Sequence, residues 1–208
     1  MTTELDLKKD SLDPIKLADC YCSVYAGEPW NQEFKKEDIQ EWIVNLNENP
    51  NTQIETIEQD DKVVGFYIAQ RDSLEKILPI FNDTFPVILS TPIGGKGVEE
   101  KYLQQDYKEE LNKKINKSIE LKDDVLYTLD IGILPEYRVF KVQKRMYDIM
   151  NNSVGNKGYV LAQTLSYGPM ADLIKKVETK EILDEIPIEG TEWKHIIFTF
   201  KSSNFPRR

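Results

Sequence analysis

The groups in this sequence best placed to do chemistry are two acid–base side chains on one strand and a cationic segment that follows a few residues later. Tyr127 and Asp130 fall in DVLYTLDIGILP, 124–135, a buried-strand candidate, where period-two counting puts them on opposite faces. The next segment, PEYRVFKVQKRMYDIM, changes to helical spacing through Val142, Met146, Ile149 and Met150, and GYVLAQ is strand-like again. Strand, helix, strand is a β-α-β unit, the usual source of parallel pairing, and the point where its first strand gives way to the helix near Arg138 is a natural ligand edge. The other reactive residues suggest less. Cys20 and Cys22 lie one residue apart in an apparent helix and point about 200° from each other, so they are expected to be reduced, partly buried thiols. A single histidine, His195, cannot build a zinc cluster of familiar spacing. No metal is expected, and His195, between Lys194 and Ile196 in the last strand, reads as structural. The glycines of TPIGGKG lack the spacing and the following Ser/Thr of a phosphate-binding loop.

The rest of the chain must position these groups. Asp13-Pro14 fits an N-cap followed by proline at the first helical position, with Ala18, Tyr21, Cys22 and Tyr25 recurring at helical spacing. After the turn-like GEPWN, a second helix carries Ile39, Trp42, Ile43 and Leu46 and ends at Asn49-Pro50. TQIETIEQ and VVGFYIAQ, joined by the polar turn Asp60-Asp61-Lys62, predict an antiparallel hairpin. In the segment 71–124, Pro79, Pro86 and Pro92 are expected to break the first half, while Leu103, Tyr107, Leu111, Ile115 and Ile119 predict one exposed helix with a narrow apolar stripe. Met170, Leu173, Ile174 and Val177 predict a short late helix, EILDEIPI and TEWKHIIFTF predict two closing strands, and NFPRR is read as a frayed end.

The composition sets limits. The chain has 208 residues, 40% of them hydrophobic, enough for a sizeable core in one domain or one domain with an insertion. A net charge of −9 and a pI near 4.8 give a field that repels nucleic acid and anionic lipid and leans toward an amine-bearing small molecule or a basic peptide. The first twenty residues hold no signal-peptide run, and no segment approaches about 18 apolar residues, which points to the cytoplasm. A homodimer is left open.

Three local sequences, in this order of elements, resemble the GNAT family of N-acetyltransferases. SVYAGEPWNQEFKKEDIQEWI is similar to the family's aromatic, Pro-Trp turn between its first two helices. LDIGILPEYRVFKVQKRM resembles its fourth strand, Pro-Glu-Tyr-Arg turn and cofactor helix, and GPMADLIKKVETKEI its late helix. The resemblance implies an α+β fold with a mixed sheet, a central splayed parallel strand pair and flanking helices. It makes 1–208 a single domain in which about 71–124 is an insertion between the family's third and fourth strands.

The implied activity is transfer of an acetyl group from acetyl-CoA to an amine, without a covalent enzyme intermediate. The resemblance gives the pyrophosphate to Arg138, Val139, Phe140, Lys141, Val142, Gln143 and Lys144, where backbone N–H groups open a helix. The family has small residues at the positions of Lys141 and Gln143. It gives the pantetheine arm and the thioester carbonyl to the backbone of Ile131, Gly132 and Ile133. Tyr127 falls near the position of a catalytic glutamate in some members, while Asp130 has the better base chemistry near neutral pH. The family's late-helix tyrosine is replaced by Ile174, and Tyr167 is the substitute acid. Because the glycines and that tyrosine are absent, a second reading stands beside the first: a non-catalytic module of the same fold, with weak or no CoA binding, working as an interaction protein. An unrelated α+β binding protein is the third, and it predicts no parallel pairing between 125–134 and 158–163.

Overall fold

The computed structural model describes residues 12–27, 30–90, 97–155, 158–166, 175–177 and 179–205. Helix α1 spans Pro14–Ala26 and α2 Lys36–Glu48; β1, Thr52–Gln59, and β2, Lys62–Ser73, follow, then α3, Leu74–Ser90, and α4, Gln105–Ser118. Strand β3, Asp124–Ile133, leads to α5, Phe140–Val154, and β4, Tyr159–Leu165, precedes β5, Glu181–Pro187, and β6, Lys194–Lys201. The six strands order as β1-β2-β3-β4-β6-β5. The chain divides into two compact units: the chain up to Gln70 with Leu129–Ser153, and Arg71–Thr128 with Val154–Arg208.

In the first unit, Asp13 caps α1 by accepting from the amides of Ile15 and Lys16 at 3.0 and 3.1 Å, so two of the helix's unpaired N–H groups are satisfied. The buried stripe of α1 is Leu17, Ala18, Cys20 and Val24. It is rotated from the expected Ala18, Tyr21, Cys22, Tyr25 line, and Tyr21 and Tyr25 are only half-buried. Cys20 and Cys22 are free thiols, and burial pushes Cys20 up to about 12, the state of an inert core residue. Helix α2 buries Ile39 and Ile43 as its spacing predicts. The hairpin turns at Asp60 and Asp61, both at positive φ (52° and 63°). A two-residue loop of that kind matches the right-handed twist of its strands, and aspartate tolerates the conformation.

In the second unit, α3 contradicts the expected break. Pro79 and Pro86 lie inside a continuous helix. An interior proline costs about 3 kcal/mol, but Leu74, Ile77, Phe81, Phe85 and Leu89 all bury their side chains along one face, and five such burials at roughly 1.5–3 kcal/mol each outweigh two prolines. Helix α4 buries Leu111 and Ile115, with Ile119 buried just past its end, while Leu103 belongs to a short 3-10 turn, Glu100–Leu103, before it. The C-terminal segment is not frayed through Phe205, which is buried and stacks on Phe200 at 6.0 Å.

Strands β3 and β4 are parallel, Val125↔Tyr159, Leu126↔Val160 and Tyr127↔Leu161, which removes the unrelated-fold alternative. Their leading ends are pinned. Arg71 bonds Asp124 at 2.5 Å and the Val154 carbonyl at 2.9 Å, and Gly158, at φ +84°, lies so close that an added Cβ would stand 2.2 Å from the Asp124 carbonyl oxygen. No helix among the described residues is long and apolar enough to cross a membrane. The tightness at Gly158 gives a test by urea unfolding. Gly158→Ala should lose more than about 2 kcal/mol through strain and clash, whereas Gly155→Ala, at φ +62° with open space around its Cβ, should lose about 1–2 kcal/mol.

Candidate functional site

The site is built from Asp130 outward, within the first unit. Asp130 lies on β3, and its Oδ1 accepts the Tyr25 hydroxyl and the backbone N–H of Ile131, the latter at 2.7 Å. Tyr21 donates to the same carboxyl group. Tyr21 and Tyr25 are one helical turn apart on α1, with ring centroids at 4.8 Å, which explains how both phenols reach one acceptor. Around them, Tyr25 packs on Trp30 and Phe34, and Tyr21 on Phe34, Trp42 and Phe66, at 5.3–5.8 Å. Desolvation in this aromatic wall is the dominant effect on the carboxyl group and raises it above the ordinary aspartate range, against the three hydrogen bonds, which favour the charged form. Burial first, and the neighbouring Asp130 charge next, raise both phenols well above their ordinary value. The phenols therefore stay protonated and donate, and Asp130 is the proton acceptor of the group.

The strand then approaches its neighbours closely. A Cβ at Gly132 would lie 2.6 Å from the Phe66 ring and 3.0 Å from Val24, so only glycine allows β3 this position. The Pro135–Tyr137 turn that follows is held by the Leu134 amide on the Val64 carbonyl, 3.0 Å, and by Lys62, which pairs with Glu136 at 3.3 Å and covers the Tyr137 ring. Arg138 turns back, its Nε donating to the Ile133 carbonyl at 3.1 Å. Helix α5 opens at Phe140 and buries Val142, Met146, Ile149 and Met150, the stripe its spacing predicts. Val139 and Phe140 stand 55% and 72% exposed, and Lys141 is exposed beside them.

Several of the groups nominated from sequence are engaged within the protein. The amide of Ile131 is taken by Asp130, and the amides of Val142 and Gln143 both return to the Val139 carbonyl at 3.1 and 3.0 Å. The Gln143 side chain lies along the loop, Nε2 donating to the Arg138 carbonyl at 3.1 Å, and Lys144 pairs with Asp148 at 2.8 Å. Gly132 and Ile133 continue the strand toward the turn.

Other nominated residues stand apart. Tyr127 belongs to the second unit, is fully buried, and shares a hydrogen bond with Thr84 at 2.9 Å beside Phe81, the setting of a core aromatic. Tyr167 and Ile174 lie outside the described residues. His195 is buried, and desolvation pushes it down to about 4, so its imidazole is neutral near pH 7. Among the described residues no group of three His, Cys, Asp or Glu side chains could hold a metal ion. Tyr21 and Tyr25 are partners of Asp130 that the sequence alone does not single out: their i, i+4 spacing reads as core, and Asp130 is 105 residues from Tyr25.

No protein-family model matches the chain, and no curated protein matches it by sequence. Solved structures do match. An agmatine N-acetyltransferase variant in its apo form is 10% identical with a TM-score of 0.58, over 95% of this chain and 99% of that one. NAA60 of Arabidopsis thaliana in complex with a bisubstrate analogue is 12% identical with a TM-score of 0.52, over 95% and 98%; the same protein with acetyl-CoA is 13% identical, TM-score 0.51, over 96% and 98%. At such identities the likeness is one of fold: the chain has the GNAT fold along nearly its whole length.

The raised Asp130 carboxyl group has a consequence for stability. A carboxylate whose folded pKa lies above its unfolded one destabilises the fold when ionised, and the penalty fades as pH falls through the folded value toward 3.8. Asp130→Asn should therefore be more stable than wild type near pH 7, with the difference closing below about pH 4, as read from urea midpoints across that range.

Proposed function

We propose that the chain is a cytoplasmic acetyl-CoA-dependent N-acetyltransferase that acetylates a primary amine, on a small molecule or a protein, by direct transfer in a single domain with 71–124 inserted. The observation that supports this most is the enclosed carboxyl group of Asp130 on β3, immediately before the backbone stretch Gly132–Ile133 and the cationic start of α5. The GNAT fold shared with an agmatine N-acetyltransferase and with an acetyl-CoA complex of NAA60 supports the choice of cosubstrate.

The donor set fits a nucleotide thioester. Arg138 and Lys141 are exposed at the opening of α5, where helix N-terminal charge and cationic side chains favour a pyrophosphate. The long side chain at one family glycine position, Gln143, lies along the loop on the Arg138 carbonyl, and the other, Lys141, brings a positive charge. Acetyl-CoA, when bound, supplies an acyl group activated as a thioester. Gly132 and Ile133 offer strand backbone to the pantetheine arm.

Asp130 carries the proton chemistry. An alkylammonium of pKa about 10.4 is neutral only about once in 10³ near pH 7, a cost of roughly 4–5 kcal/mol. A carboxylate raised by burial is a stronger base than a solvated one and takes that proton, directly or through one water, while Tyr25 and Tyr21 hold it in place. The protonated Asp130 can return a proton to the departing thiolate.

A second reading, a non-catalytic module of the same fold, is favoured by the amides of Ile131, Val142 and Gln143, all bonded within the protein. Thiol release from acetyl-CoA across a panel of small amines and basic peptides separates the two. Turnover that falls about 10²–10⁴-fold in Asp130→Asn, and recovers as pH rises toward the amine's own pKa, is expected. Absence of turnover with every acceptor sustains the module instead, and an Asp130→Asn variant as active as wild type at pH 7 removes Asp130 as the base.

A further inference from the structure

The face of the sheet beneath α3 and α4, in the second unit, carries polar atoms that are unmatched among the described residues. Antiparallel pairing sets Leu165 opposite His195 and Gln163 opposite Ile197, so all four side chains share one face. His195 is 2% exposed. Its Nε2 and both amide atoms of Gln163 are buried without a hydrogen-bond partner among the described residues. The two residues are diagonal neighbours, about 7–8 Å apart, within reach of a common group for side chains of this length.

The same face is roofed on two sides. Asp184, opposite Ile197 on β5, accepts from Tyr107 and Lys114 of α4 at 3.1 and 2.9 Å. Tyr127, opposite Leu161, bonds Thr84 of α3. Gln163 lies on the carboxyl-terminal half of β4, past its last parallel pair with β3. Native proteins rarely leave one buried polar group unmatched, because it gives up hydration for nothing. Three such atoms on one patch point to a partner.

The chemistry of the three atoms defines that partner. The Gln163 amide offers a donor and an acceptor side by side, which a primary carboxamide matches as a cyclic pair. A peptide group in the trans form cannot, because its N–H and C=O point opposite ways. The imidazole of His195 is neutral near pH 7, and Asp184 is already paired with Lys114, so among the described residues the patch shows no unpaired charge for an anion or a cation.

We propose that Gln163 and His195 form a subsite for a primary carboxamide, independent of the acetyltransferase reading. His195 is the only histidine in the chain, so its imidazole nitrogens are unambiguous in a spectrum of the ¹⁵N-labelled protein. Titration with glycinamide, with and without CoA present, should give a saturable shift of the His195 Nε2 resonance. Propylamine, of similar size, should give none, and glycine N-methylamide, whose amide is trans, should bind about tenfold more weakly. Gln163→Leu should abolish the glycinamide shift while unfolding at or above the wild-type temperature, because it removes two unmatched polar atoms. An unmoved His195 resonance, an equal shift with propylamine, or a shift retained in Gln163→Leu would each overturn the subsite. Failure of the same samples to bind CoA would overturn the acetyltransferase reading and leave the glycinamide response as a separate result.

Discussion

The hydrogen bond from Tyr25 to Asp130 is the contact on which the candidate site depends. It ties α1 to the strand that leads into α5, across 105 residues of sequence, and it holds a carboxyl group in an aromatic wall where a lone aspartate would be costly. Three donors, from Tyr25, Tyr21 and the Ile131 amide, compensate part of that cost without removing it. The residual penalty makes the carboxylate a better base. Stability given up in the fold and basicity gained at the site are one effect, as expected where a protein retains a buried charge.

Packing fixes the geometry. Because Gly132 has no Cβ, the Phe66 ring can press against β3, and Phe66 in turn stacks on Tyr21 at 5.3 Å, which donates to Asp130. The strand position, the aromatic wall and the orientation of the donors are thus linked through one glycine. With centroids 4.8–5.8 Å apart, the rings around Asp130 pack on each other as one aromatic wall.

Much of the scaffold was legible in the sequence because the signals were local. Asp60-Asp61 between alternating strands specified the hairpin, and Val142, Met146, Ile149 and Met150 specified the buried face of α5. In α3 two signals conflict: Pro79 and Pro86 favour breaks, and tertiary burial of Phe81, Phe85 and their neighbours prevails. The rotated stripe of α1 has a similar cause, since Tyr21 and Tyr25 are amphipathic and turn their hydroxyls toward a polar partner that spacing alone does not reveal. The site was legible in part. Asp130 and the β3–α5 junction followed from residue type and element order, but the spent amides of Ile131, Val142 and Gln143 depend on side-chain and turn geometry that no motif records.

Calorimetric titration of the full chain with acetyl-CoA tests whether the opening of α5 holds the nucleotide. One site with affinity between about 1 μM and 1 mM is expected, the usual range for enzyme substrates, weakened about tenfold or more in Arg138→Glu and Lys141→Glu and further weakened by added salt. No heat of binding at millimolar acetyl-CoA, or binding indifferent to both charge reversals, would contradict it.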